Sequence, residues 1–118
     1  MRTDAERLTD ILDAAQRIRR HVKAGDRQRF GQDEVLPSAV LRWFEIIGEA
    51  SRGLTDQFRH EHPDVPWREI TDMRNRVTHG YFDIDVDVVW NTIMNDLPAL
   101  DQAIVRWLPP SEDLQSSN

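Results

Sequence analysis

The chain has 118 residues, of which 39% are apolar and 31% charged, which is enough to bury one modest core and not two. It has no cysteine, which excludes disulfides, thiolate nucleophiles and Cys-based zinc or iron–sulfur sites. No run approaches the roughly 18 apolar residues of a membrane helix, and the net charge of −6 argues against a protein that coats duplex DNA through bulk positive potential.

The N-terminus is charged and shows no apolar core of a secretory signal, so the expected setting is cytoplasmic. The first helix is marked by Leu8, Ile11, Leu12, Ala15, Ile18 and Val22, one apolar stripe at three- and four-residue steps. Thr3 followed by Glu6 fits a capping box at its start, and Ala24-Gly25-Asp26 is expected to end it. Residues 26–34 are polar and read as a loop. Charge is uneven here: Arg17, Arg19, Arg20, Lys23, Arg27 and Arg29 face a single acid, Asp26. That segment is either a solvated helix end, where cations suit the dipole, or a surface that tracks phosphate or docks a partner.

A second helix is expected to start between Glu34 and Pro37, because proline belongs in a first turn. Its stripe runs through Leu36, Val40, Trp43, Ile47, Ala50, Leu54 and Phe58, and Phe44 and Ile46 widen it around the circumference. Ala39, Gly48, Ser51 and Gly53 add small residues for close approach. A helix apolar on so many sides is central, or shared between the core and a second chain, so a two-fold homodimer is expected. The segment from His60 to Pro66 holds two prolines and stops any helix. A third helix is expected from Trp67 to about His79, with Gly80 as its cap. A fourth should run from about Asp85 to Trp107 on Val86, Val89, Trp90, Ile93, Leu97, Leu100 and Ile104, with Pro98 kinking or splitting it. The result is one all-α domain over residues 1–108, an antiparallel bundle of four or five helices, with residues 109–118 as a flexible tail.

Most polar residues are ordinary helix surface. The exception is the run from Arg74 to Tyr81, which gathers Arg74, Asn75, Arg76, His79 and Tyr81 around one helix end. Arg74 and His79 lie about 140° apart on a helix, while Asn75 and His79 share a face. Chemically the set suits metal-free RNA cleavage. An arginine grips the scissile phosphate and stabilises transition-state charge. A histidine titrates near neutrality and takes the 2′-hydroxyl proton or protonates the leaving oxygen. A tyrosine stacks on a base or bonds a phosphate oxygen. By spacing alone, an Arg–His pair near a helix end is more often an ordinary structural arrangement.

The run Trp67-x-x-Ile70-x-x-Met73-Arg74-Asn75-x-x-x-His79-Gly80-Tyr81-Phe82 resembles the HepT-like toxins of the HEPN ribonuclease superfamily, whose Arg-x4-His-x-Tyr signature is met by Arg74, His79 and Tyr81. The likeness extends to Ile46-Ile47-Gly48-Glu49-Ala50, Val88-Val89-Trp90 and Asp96-Leu97-Pro98-x-Leu100, and so covers roughly residues 5 to 108. It implies a HEPN-like helical fold and a homodimer that brings two motifs together. It also implies a cytoplasmic endoribonuclease with Arg74 and His79 as catalytic residues, in the toxin half of a type VII toxin–antitoxin module. The implied partner is a minimal nucleotidyltransferase antitoxin of the MntA type, which transfers AMP to the motif tyrosine, here Tyr81. No cofactor and no metal is implied.

Glu49 either orients Arg74 or pairs on the surface with Arg42 or Arg52. Asn75 either bonds a phosphate or fixes the helix end. His60 and His62 sit on a proline-rich segment with no third metal ligand in view. Asp83, Asp85 and Asp87 at a helix start read as caps, and the four tryptophans as core. The alternative function is a non-catalytic helical dimer that serves as the binding subunit of a nucleotidyltransferase.

Overall fold

The structure, a computed structural model, describes residues 2–76 and 84–107. Helix α1 (Asp4–His21) forms on the expected stripe. Thr3 accepts the N–H of Glu6 at 3.1 Å, and the Glu6 carboxylate accepts the N–H of Thr3 at 3.0 Å. These bonds from Thr3 hold the Glu6 carboxyl below the usual carboxylate range. Leu8, Ile11, Ala15 and Ile18 are buried, and each of the larger three contributes about 1.5–3 kcal/mol by leaving water. Helix α1 ends at His21, where Val22 turns to extended backbone.

The segment that reads as a loop is helical. A 3₁₀ turn (Ala24–Asp26) leads into α2 (Arg27–Gln32). Asp26 accepts from the Arg29 guanidinium and from the Lys23 N–H, both at 2.9 Å; Arg29 above all keeps its carboxyl below the usual range. One apolar residue in six makes no period, so propensity and pattern are silent here. The helix is held by Phe30, which is fully buried with its ring centroid 5.9 Å from that of Trp90.

Helix α3 (Leu36–Arg52) carries Pro37 in its first turn. Asp33 caps it, accepting the N–H groups of Leu36 at 2.8 Å and Val35 at 2.7 Å, and these two bonds depress its carboxyl pKa. The stripe expected to run unbroken to Phe58 divides at Gly53, which caps α3. Thr55 then starts α4 (Asp56–Glu61), accepting the N–H of Phe58 at 3.1 Å. Its own N–H and hydroxyl donate to Asp4 at 2.9 and 2.7 Å, which ties this turn to the head of α1. Leu54 and Phe58 pack on the same core as α3, so the apolar register passes straight through a chain break.

The third expected helix also divides. Helix α5 (Trp67–Thr71) follows Pro66, and α6 (Met73–Arg76) follows a break at Asp72. The remainder of that helix and the Gly80 cap lie outside the described residues, as does the tail of residues 109–118. Helix α7 (Val86–Asn91) is capped by Asp85, which accepts the Val88 N–H at 3.1 Å, the capping role expected of it. A π turn (Thr92–Asp96) then joins α7 to α8 (Leu97–Trp107) without interruption. Pro98 therefore does not split the helix. The Leu97 N–H reaches back to the Thr92 carbonyl, and this wider turn accommodates the proline's missing donor and bulky ring.

Helix α1 packs on α3 and α8, α5 and α6 pack on α3, and α2 bridges α3 and α7. Gly48 makes one of these approaches possible, because a Cβ there would stand 3.0 Å from the Thr71 carbonyl oxygen. Ser51 is also fully buried. Two of the small residues that suggested a second chain, Gly48 and Ser51, are thus taken up inside this one. The four tryptophans are half-buried and pack against the core rather than within it. Among the described residues no strand forms, and no helix is long and apolar enough to cross a membrane.

Candidate functional site

The motif begins on a short, well-anchored platform. Met73 and Ile70 are buried, which fixes α5 and α6 against α3. At the break between them the Thr71 hydroxyl donates to the Arg68 carbonyl at 3.0 Å. The Asn75 side-chain amide donates to Asp72 at 2.9 Å. That bond ties the start of α6 to the residue at the break. Arg74 and Arg76 belong to α6. The positions of His79 and Tyr81 lie outside the described residues, as does Asp83. Glu49 is exposed and pairs with Arg52 at 2.7 Å, the surface arrangement.

Beside the platform lies a groove of about 1020 Å³, walled by Ile70 and Met73 on one side and Leu97 and Leu100 on the other. Arg19 and Asp101 reach into it and pair with each other. Asp101 is buried while Arg19 is half-exposed. The pair was not foreseen, although it left a trace: Asp101 occupies the apolar stripe of α8, between Leu97 and Ile104. A carboxylate on a core-facing position needs a cation.

A second, more polar cleft of about 640 Å³ lies on the other side of that pair, walled by Arg19, Arg20 and Lys23 and by Ile93, Met94 and Pro98. The remaining cations of the basic segment are taken up locally. Arg17 pairs with Asp13, Arg27 with Asp87 and Arg29 with Asp26.

The histidines of the breaker segment have structural partners. His60 meets the Asp56 carbonyl at 2.9 Å through Nδ1. His62 sits between Phe58 and Trp107, with centroids 4.4 and 4.2 Å away. Its carbonyl accepts the Trp67 indole N–H at 3.0 Å. Among the described residues no three of His, Asp and Glu are grouped to hold a metal ion.

The sequence matches the ribonuclease HepT-like family over residues 11–106. A protein of Thermococcus cleftensis named "Probable ribonuclease HepT" is 38% identical over 99 residues, covering 84% of this chain and 90% of that one. One of Caldanaerobacter subterraneus named "Putative RNase" is 36% identical over 104 residues, covering 88% and 93%. Another of that name, from Methanocaldococcus jannaschii, is 37% identical over 97 residues, covering 82% and 89%. No solved structure gives a significant match.

Proposed function

The chain belongs to the ribonuclease HepT-like family, and from that premise we propose that it is an endoribonuclease toxin that cuts RNA without a metal ion. The observation that carries this reading is the Arg74-x4-His79-x-Tyr81 run inside the matched span, starting on a helix that the buried Met73 anchors beside an open groove. His79 takes the proton of a 2′-hydroxyl, and the 2′-oxygen attacks the adjacent phosphorus. The 5′-oxygen leaves and picks up a proton, and a 2′,3′-cyclic phosphate remains. Arg74 holds the phosphate and offsets the charge that builds on it. Arg76 and Asn75 support the same strand. Expression of wild type beside His79→Ala, followed by analysis of RNA 3′ ends, tests this directly.

The proposal includes a homodimer in which two motifs meet. Its contact surface lies away from Gly48, which α5 already covers. Light scattering at micromolar concentration should give twice the 13.8 kDa of one chain; a single-chain mass refutes the assembly.

The proposed regulator is an MntA-type nucleotidyltransferase, the antitoxin of a type VII module. With ATP and magnesium it joins the Tyr81 oxygen to the α-phosphorus of ATP, and pyrophosphate leaves. Each AMP adds about 329 Da and a negative charge beside the arginines that must receive RNA phosphate. Intact-mass spectrometry with peptide mapping should place this gain on Tyr81, and Tyr81→Phe should escape it. Modification at another residue, or full RNase activity in the modified protein, refutes it.

A further inference from the structure

We propose that the cleft between the C-terminal end of α1 and the π turn is a second RNA site, which holds backbone phosphates of a single strand through Arg20 and Lys23, away from the bond that is cut. This rests on the RNase reading and adds to it how the substrate is held.

The argument begins with charge. A chain of net charge −6 repels a polyanion, so capture needs a local surplus of cations. The ion pairs around this cleft show where that surplus remains. Arg19 is bound to Asp101, Arg17 to Asp13, Arg27 to Asp87 and Arg29 to Asp26. Arg20 is exposed and has no carboxylate partner among the described residues. Lys23 is exposed and gives one ammonium hydrogen to the Arg19 carbonyl at 2.9 Å. Asp26 is its nearest acid in sequence, but that carboxylate already accepts the Arg29 guanidinium and the Lys23 backbone N–H.

The ordinary role of cations at a helix end is to face its last carbonyls. Lys23 does so with one of its three donors; Arg20 donates to no carbonyl among the described residues and keeps its planar fork for a phosphate. Both residues wall the same open cleft, whose lining also holds the apolar Ile93, Met94 and Pro98 beside Gln16 and the Arg19–Asp101 pair. Such a surface accepts the sugar and base faces of a strand while the cations take its phosphates. The cleft shares Gln16, Arg19 and Asp101 with the groove that passes Met73, but that groove is lined by Asp64, Glu69, Asp96 and Asp101 against Arg19 and Arg106, so the surplus of cations lies on the cleft's side, at Arg20 and Lys23.

The test separates binding from cleavage. A fluorescein-labelled 2′-O-methyl RNA of a dozen nucleotides has no attacking 2′-hydroxyl, so its anisotropy reads binding alone. Arg20→Ala/Lys23→Ala is compared with Arg2→Ala/Arg59→Ala, which removes the same charge from the opposite end of α1 and from α4. The first variant should lose about tenfold in affinity at low salt, and its slope of log affinity against log salt should shrink by about 1.4, two phosphates at roughly 0.7 each. The second should stay within about twofold of wild type. Equal losses in both variants, or an unchanged slope, overturn the site. So does a poly-glutamate probe that depends on Arg20 and Lys23 while RNA does not, because the cleft then belongs to an acidic protein. Cleavage of unmodified RNA is assayed in parallel. Binding through Arg20 and Lys23 without any cleavage leaves this site standing and removes the RNase reading. Cleavage with no dependence on these residues does the reverse.

Discussion

Replacing His79 by alanine is expected to slow RNA cleavage by about 10²–10⁴-fold, the usual worth of a positioned acid or base. Arg74→Ala is expected to cost about 10²–10³-fold, the worth of a donor aimed at developing charge. Both variants should keep the far-ultraviolet dichroism of wild type, which separates a loss of chemistry from a loss of fold. A single-turnover assay on a labelled oligonucleotide reads the chemical step without product release. Activity should persist in EDTA, since the proposed base and phosphate clamp are both side chains. Cleavage at the wild-type rate by His79→Ala sinks the mechanism, whereas no cleavage by wild type returns the chain to the alternative of a non-catalytic binding module. Loss of activity in EDTA sinks only its independence of metal.

The second large effect concerns stability. Phe30→Ala should destabilise the fold by about 3–5 kcal/mol, the range for emptying a buried aromatic site. Phe30 is the one buried residue of α2, and its ring meets Trp90 of α7 at a centroid distance of 5.9 Å. Against a total stability of about 5–15 kcal/mol for a domain, this is about a fifth or more. Urea titration followed by tryptophan fluorescence measures it. A loss under about 1 kcal/mol would mean that α2 is a dispensable surface turn, with the ring free to collapse elsewhere.

Phe30 also shows where sequence reading stops. Helices α1 and α3 were legible because each repeats its apolar residues along one face, and their starts carry local signals: Thr3 with Glu6, and Pro37. Helix α2 was not, since its single buried ring takes its meaning from Trp90, sixty positions away. The break at Gly53 was hidden for the opposite reason. Leu54 and Phe58 serve the same core as α3 and keep its spacing across a change of direction. Gly48 was rightly read as a close-approach residue, but the approaching backbone is that of Thr71 in the same chain. Pro98 was read as kinking or splitting the helix because a proline cannot complete an α-turn, and here a π turn receives it and the helix continues. At the site, the residue types from Arg74 to Tyr81 indicated the chemistry. The pairing of Arg19 with Asp101 had to come from the fold, because nothing local links two positions 82 residues apart.

That pair, with Trp107 packed against Phe58 and Trp67, gives α8 a special place in the order of folding. Its contacts close the longest loops in the domain, and a long loop must be closed before its contacts return anything. Helices α1 and α3, joined by a short connection, can meet first. Helix α8 docks onto what they have built, and only then do the groove and the cleft acquire their second walls, since Leu97, Leu100 and Asp101 border the one and Pro98 and Asp101 the other. A molecule with α8 undocked would still be largely helical, yet it would have neither the groove nor the cleft. Helical content is therefore a poor gauge of competence in this fold; the environment of Trp107 is the better one.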